Sequence, residues 1–371
     1  MYNDLWNLQL TNREMLPNLR IGDIVAKIPI IQGGMGVGIS LSGLAAAVAN
    51  EGAVGVISAA EIGFLEPDFN KNPKEANLRA LAKELKKAKA ATSGIIGVNI
   101  MVAMSDFDDL VKTSVENGAD IIISGAGLPL NPAPKEILKN AKTKFVPIVS
   151  SARATNLIFR YWISHHDRLP DAVVIEGPLA GGHLGFKREQ IDDENFQLEK
   201  ILPEIISIVK SFEKKFNKSI PVIPAGGIYT GADIAKYLKM GASGVQMATR
   251  FAATYECDAS DAFKEAFVRC KKEDITIIQS PVGMPGRAIR NSFIEDVEKG
   301  LKKPYKCVWQ CLKPCDGKPL YCIASALYNA QKGFLKNGYV FAGANAWRVD
   351  RIMSVKELIK TLASEYEAAV N

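Results

Sequence analysis

An α/β chain folded as a (β/α)8 TIM barrel, with a smaller helical and irregular subdomain inserted near the C-terminus, is what this sequence predicts. Two observations point there: eight short apolar runs alternate with helical patterns, and glycine-rich segments follow the runs directly. The third is size, since the alternation fills about 250 residues, the usual span of such a barrel. A doubly wound open sheet alternates in the same way, but strand count and length both suit the barrel better.

In chain order the expected strands are Ile28–Ile31, Val54–Ile57, Ile95–Ile100, Ile121–Ser124, Phe145–Val149, Ala172–Ile175, Pro221–Pro224 and Gly244–Met247. They read as continuous apolar runs, as parallel strands covered on both faces do. The expected helices between them are Leu41–Asn50, Pro73–Ala90, Phe107–Asn117, Pro134–Ala141, Ala152–His165, Leu198–Phe216 and Ala232–Met240. Helix stop signals fall where they are needed, as in Asn117-Gly118-Ala119-Asp120 and Met240-Gly241-Ala242.

The character changes after Arg250. Asp261–Lys272 carries Phe263, Ala266 and Phe267 as one apolar helical stripe, and Gly283–Arg290 reads as a loop punctuated by glycine and proline. A helix resumes at Ile323, and Val355–Leu362 closes over the barrel. The expected organisation is residues 1–255 as the barrel, 256–324 as a lid-like insert with a cysteine cluster, and 325–371 as C-terminal helices packing back.

With 371 residues, 47% hydrophobic and 23% charged, the chain is long enough for one large core plus an appended piece. The net charge of +6 comes from 46 basic against 40 acidic side chains. The basic ones sit in mixed stretches such as Lys83-Glu84-Leu85-Lys86-Lys87, which are solvated faces. No basic stripe with aromatic platforms suggests nucleic acid binding. Met1–Trp6 lacks the pattern of a secretory signal, and Leu44–Ala60 is broken by Asn50, Glu51 and glycines, so no membrane span is expected. Six cysteines in this length form no small disulfide framework, and a cytoplasmic protein with reduced thiols is the expectation.

In a barrel, the loops after the strands converge on one face and must be read together. The first gives Gln32-Gly33-Gly34-Met35-Gly36-Val37-Gly38, and the third strand holds Asn99. The fourth loop is Ser124-Gly125-Ala126-Gly127, and the fifth begins Ser150-Ser151. The sixth is Glu176-Gly177-Pro178-Leu179-Ala180-Gly181-Gly182-His183-Leu184-Gly185, with one of the chain's three histidines. The seventh gives Ala225-Gly226-Gly227-Ile228, and the eighth Gln246-Met247-Ala248-Thr249-Arg250. Bare backbone at these ends lets a planar ligand approach closely. An imidazole beside it, with a reference pKa of ~6.5, is suited to moving protons. The last two loops are where such barrels commonly hold phosphate.

Rival motifs fit less well. Gly34–Gly38 lacks G-x-G-x-x-G spacing, no acid closes the second strand, and neither G-x-S-x-G nor H-E-x-x-H occurs. His165 and His166 have no partner at metal-ligand spacing. Cys307, Cys311 and Cys315 are spaced by fours with Cys322 nearby, a set that iron–sulfur or zinc chemistry could use. The spacing matches no C-x2-C pattern, Pro304 and Pro314 argue for irregular chain, and buried free thiols are the expected account, with no metal.

Gly33-Gly34-Met35-Gly36, Gly97-Val98-Asn99, Glu176-Gly177 with Ala180-Gly181-Gly182-His183-Leu184-Gly185, Ala225-Gly226-Gly227 and Thr249-Arg250-Phe251 together resemble the nitronate monooxygenase family, formerly 2-nitropropane dioxygenases. The flavin-dependent enoyl-acyl carrier protein reductases share the set. The resemblance covers about Ile28 to Asn291, and the A-G-G-H-x-G loop is its most specific part. It implies non-covalent FMN, with the ring over Gly33, Gly34, Met35, Asn99 and Gly182, and cofactor contacts extending to Ser150. The phosphate would lie on Gly226, Gly227, Gln246, Met247, Ala248 and Thr249. The family usually has glycine where Ala248 stands, and a methyl there requires a negative φ.

The resemblance also implies the chemistry. Alkyl nitronates would be oxidised to carbonyl compounds and nitrite, with O2 as co-substrate and His183 as acid/base. His183 would either abstract the Cα proton of a nitroalkane or, as imidazolium, hold the nitronate anion. The alternative is an FMN-dependent enoyl-acyl carrier protein reductase that draws on NAD(P)H; an acyl-carrier partner would favour a basic rim, for which Arg250, Arg287 and Arg290 are candidates, the other reading being that Arg287-Ala288-Ile289-Arg290-Asn291 caps a helix or pairs with acids. An oligomer is compatible with either.

Overall fold

The computed structural model describes residues 16–139, 141–302, 307, 309–315 and 319–371. The readings made above for Met1–Trp6 and Pro304 lie outside these residues.

Eight parallel strands form one sheet: Ile30–Gln32, Gly55–Ser58, Ile96–Met101, Ile121–Gly125, Lys144–Val149, Val173–Glu176, Val222–Ala225 and Val245–Met247. The first pairs with the eighth, with Ile30 opposite Val245 and Gln32 opposite Met247. It also meets the second through the Ile31–Val54 bridge and the bond from Gln32 N to Val54 O at 2.9 Å. The ring therefore closes, and the open doubly wound sheet is excluded.

Nearly every strand runs one residue further toward its C-terminus than the apolar pattern suggests. Gln32, Ser58, Met101, Gly125, Glu176 and Ala225 extend the ladders, as where Glu176 stands opposite Ala225 and Ser58 opposite Asn99. Four of these, Gln32, Ser58, Gly125 and Glu176, are not apolar, though their backbone continues the ladder. A pattern read on hydrophobicity stops short there.

Leu19, Ile21, Val56, Ile123, Val174 and Ile223 are among the side chains of one buried cluster. It joins the barrel strands to the antiparallel hairpin Leu19–Ile21 and Ile24–Ala26. A second cluster, including Leu44, Leu85, Leu110, Ile158, Ile205 and Ile359, lies between strands and outer helices. Helices Ser42–Asn50, Pro73–Ala91, Phe107–Glu116, Ala152–His166, Leu198–Phe216 and Gly231–Lys239 follow the expected spacing, while the fourth crossover keeps only Lys135–Leu138. Helix Val355–Val370 packs against Gly231–Lys239 and Ser42–Asn50. Gly231 permits that approach, because a Cβ there would lie 2.2 Å from Leu362 O.

Past the eighth strand one expectation is corrected. Gly283–Arg290 is not simply a loop: Pro285–Ile289 is a strand, antiparallel to Ile275–Gln279 on one side and to Gly182–His183 on the other. Glycine and proline masked it. Pro285 opens the strand, where its missing N–H costs nothing, and Gly286 admits the Phe341 ring, which a Cβ would approach to 2.9 Å. The expected helix at Asp261 ends at Val268 rather than Lys272. Among the described residues no helix is long and apolar enough to cross a membrane.

Candidate active site

All thirteen residues expected at the site line one cavity of about 550 Å³ at the C-terminal mouth of the barrel: His183, Gly33, Gly34, Met35, Asn99, Ser150, Gly182, Gly226, Gly227, Gln246, Met247, Ala248 and Thr249. Its volume is in the range of small-molecule and cofactor sites.

The first loop is held from beneath by Gln32, which is fully buried. Its amide donates to Gly33 O at 2.6 Å and Ser40 Oγ at 3.0 Å, and accepts from Val56 N at 2.9 Å. Gly34 lies so close to the third strand that a Cβ would sit 2.5 Å from Asn99 Cβ, so glycine is required by loop-to-strand packing. On the far side Gly226 and Gly227 adopt φ of +94° and +80°. A C-terminal segment braces them, Asn345 Nδ2 donating to Gly227 O at 2.6 Å and Gly343 N to Thr249 Oγ1 at 3.3 Å. Ala248 has φ −126°, so the negative φ that its methyl requires is met.

His183 sits on the short edge strand Gly182–His183, with Gly182 at φ +79°. Its Nε2 lies 2.8 Å from Ser280 Oγ, and Ser280 Oγ also accepts from Val282 N at 3.3 Å. The Phe341 ring packs edge-on at 5.2 Å. Surrounding protein pushes the imidazole down to about 4 by desolvation, although the ring keeps some contact with the cavity. It is therefore neutral at pH 7, and of the two protonation states considered above the imidazolium is disfavoured.

The preceding loop is pinned by Arg287, only 4% exposed, whose Nη1 donates to Pro178 O at 2.5 Å and Ala180 O at 2.6 Å. Desolvation pushes its guanidinium down to about 10. Arg287 is thus a loop clamp and not part of a basic rim. Arg250 donates to Tyr229 O and lies 3.7 Å from Glu365, while Arg290 pairs with Glu298 at 2.7 Å. The three arginines are occupied, and for Arg287–Asn291 the capping and pairing alternative holds, with Arg290 on Glu298 and Asn291 capping helix Ser292–Glu298.

Two carboxyls in the wall were given no site role from the sequence, although Glu176 belongs to the set that carries the family resemblance. Glu176 ends the sixth strand with one weak donor, Gly185 N at 3.4 Å, and desolvation pushes it up to about 7. Glu61 follows the second strand and is also pushed up to about 7, first by desolvation and then by Asp106. A charged residue closing an apolar strand was a visible signal for Glu176. Nothing local distinguished Glu61 or Ser280, and Arg287 was noticed for its charge but not as a loop clamp.

The other two histidines lie apart. His165 is exposed and stacks on Tyr161 at 3.9 Å, and His166 meets Asn131 Oδ1 at 3.1 Å. Residues 310–313 run along the loop after the third strand, with Ser105 N donating to Cys311 O and Lys313 N to Ala103 O. Leu312 from this strap reaches the cavity. Among the described residues no group of three or more His, Cys, Asp or Glu is arranged to hold a metal ion.

The sequence profile of the Nitronate monooxygenase family matches residues 19–365. A Mycobacterium tuberculosis protein described as (3aS,4S,5R,7aS)-5-hydroxy-7a-methyl-1-oxo-octahydro-1H-indene-4-carboxyl-CoA dehydrogenase is 28% identical over 74% of this chain and 66% of its own, so the chain spans just under two thirds of that relative's length. A Staphylococcus saprophyticus protein described as a probable nitronate monooxygenase is 27% identical over 75% of this chain and 80% of its own. Among solved structures, FabK from Thermotoga maritima superposes with a TM-score of 0.70 at 27% identity, covering 92% of this chain and 93% of that one.

Proposed function

The chain belongs to the nitronate monooxygenase family, and from that premise we propose that it is an FMN-dependent oxidoreductase converting alkyl nitronates to carbonyl compounds and nitrite with O2. The observation that carries this reading is a neutral, Ser280-anchored imidazole beside a cavity walled by glycine-rich strand ends. The wall fits a flavin nucleotide: Gly33, Gly34 and Gly182 offer low backbone to a flat ring, and Gly226, Gly227 and the Gln246–Thr249 loop offer backbone at one end. FMN, when bound, supplies the redox chemistry.

The protein's part is proton handling and positioning. In the tautomer that donates Nε2–H to Ser280 Oγ, the lone pair lies on His183 Nδ1, and that nitrogen would take the Cα proton of a neutral nitroalkane. A base kept neutral by burial is ready for that step at pH 7 without first losing a proton. Arg287 keeps the loop, and hence the imidazole, in place.

The decisive experiment pairs the visible spectrum and cofactor identity of purified protein with His183→Ala. The variant is expected to retain flavin while turnover with nitroalkanes falls about 10²- to 10⁴-fold. Wild-type kinetics in the variant would refute the assignment. A second reading, reduction of an enoyl thioester with NAD(P)H, is favoured by the similarity to FabK and to a relative described as acting on a carboxyl-CoA. Nitronate-dependent oxygen uptake, set against enoyl-thioester-dependent NAD(P)H oxidation, separates the two.

A further inference from the structure

The cavity has two unlike ends. Gly226, Gly227 and the Gln246–Thr249 loop, from the seventh and eighth strands, make one of them. The loops after the third and fourth strands make the other, and in a closed ring of eight these pairs stand four strands apart, on opposite sides of the mouth. That far end is apolar. Met101, Met104 and Leu128 come from the barrel, and Leu312, Ile323 and Leu327 from chain beyond the eighth strand.

Leu312 is where the two walls join. Met104 and Leu312 form a β-bridge, flanked by Ser105 N donating to Cys311 O at 3.0 Å and Lys313 N to Ala103 O at 2.8 Å. The half-buried Leu312 packs against the main barrel cluster and also against the cluster that holds Ile323 and Tyr339. His183 meets that second cluster through Phe341, whose ring centre lies 5.2 Å from the imidazole and 5.3 Å from the Tyr339 ring. Phe341, Tyr339, Ile323 and Leu312 all line the cavity, so a wall of apolar packing leads from the imidazole to the strap.

The same space is poor in positive charge. Among the described residues that line it none is lysine or arginine, and the titratable ones are Glu61, Glu176, His183 and Tyr339. Behind the far end Glu61 is buried beside Asp106. Lys313, next along the strap, is exposed, and its Nζ donates to Val102 O at 3.3 Å. A carboxylate drawn into this space would surrender its water without meeting a cation.

We propose that the substrate is a neutral compound with an extended alkyl tail, that the tail lies along this wall from His183 toward the strap, and that Leu312 sets the longest chain the site accepts. This names the substrate class of the reading above and rests on that reading's reacting carbon lying at His183.

Esters that do not react test it on the full chain as purified. In calorimetric titrations from methyl butanoate to methyl nonanoate, each added methylene should tighten binding about 3- to 4-fold until the tail meets the strap, where the gain should stop. Leu312→Val should move that break to a longer ester and Leu312→Phe to a shorter one. A break that moves in neither variant overturns the role of Leu312, and so does wild-type affinity that climbs through the whole series without a break. Heptanoate and methyl hexanoate have the same heavy atoms and differ in charge at pH 7. The wild type should bind the ester about 10-fold or more tightly, and heptanoate bound as tightly as the ester overturns the neutral class. Both wild-type measurements can overturn the proposal even if a variant does not fold. None of the titrations needs turnover, so a protein that binds no flavin and oxidises no nitronate refutes the functional reading separately.

Discussion

Ser280→Ala isolates what anchoring the imidazole contributes. Ser280 is 3% exposed and lies 2.8 Å from His183 Nε2, yet it is not part of the cavity wall, so its removal should leave flavin affinity intact. Removal takes away one hydrogen bond and leaves the imidazole nitrogen in a desolvated setting, a cost of about 1–3 kcal/mol. If that cost falls on the oriented state needed for proton abstraction, kcat/KM drops about 5- to 150-fold. The assay is oxygen uptake with a neutral nitroalkane and, separately, with its preformed nitronate, because only the former must surrender a Cα proton. The loss should be confined largely to the neutral substrate, and Ser280→Thr should restore much of it. In the wild type the acid limb of the neutral-substrate profile should lie near 4, where burial places the imidazole, and not near 6.5. Equal losses with both substrates, or an acid limb near 6.5, would refute the reasoning.

Two further predictions concern stability. Glu61 titrates near 4.5 when unfolded and near 7 when folded, so the folded chain binds more protons between these values and its stability falls as pH rises through them. Glu61→Gln should therefore be stabilising at pH 8 relative to pH 5, by about 1–3 kcal/mol, read from denaturant midpoints; a gain equal at both pH values would exclude an ionised buried carboxyl. Arg287→Met should cost about 2–4 kcal/mol, because it strips the donor from two carbonyls in the His183 loop. Arg287→Lys should recover part of this, and an unchanged unfolding midpoint in Arg287→Met would show that the clamp holds nothing.

Much of the architecture was legible because it rests on local rules. Parallel barrel strands buried on both faces leave uninterrupted apolar runs, and helix ends leave glycine and asparagine, so the alternation could be counted. The glycine-rich strand ends were legible too, since each is a short-range feature. A barrel then gathers those ends on one side, which is how thirteen residues spread from Gly33 to Thr249 come to line one cavity. The ends of the strands were misjudged by one residue for a related reason: at the mouth, backbone pairing outlasts hydrophobicity.

What the sequence by itself determined is therefore the repeating unit, the direction of its loops, and the presence of an imidazole among them. The tertiary structure decided how that imidazole behaves. Pro285–Ile289 becomes a strand by pairing with Ile275–Gln279 and with the edge Gly182–His183, and that sheet brings Ser280 to His183 across 97 residues of chain. Burial then holds the ring neutral, Arg287 clamps the loop before it, and Glu61 is buried beside Asp106. Each of these depends on which distant groups exclude water from a given side chain, and that information is not carried by its sequence neighbours.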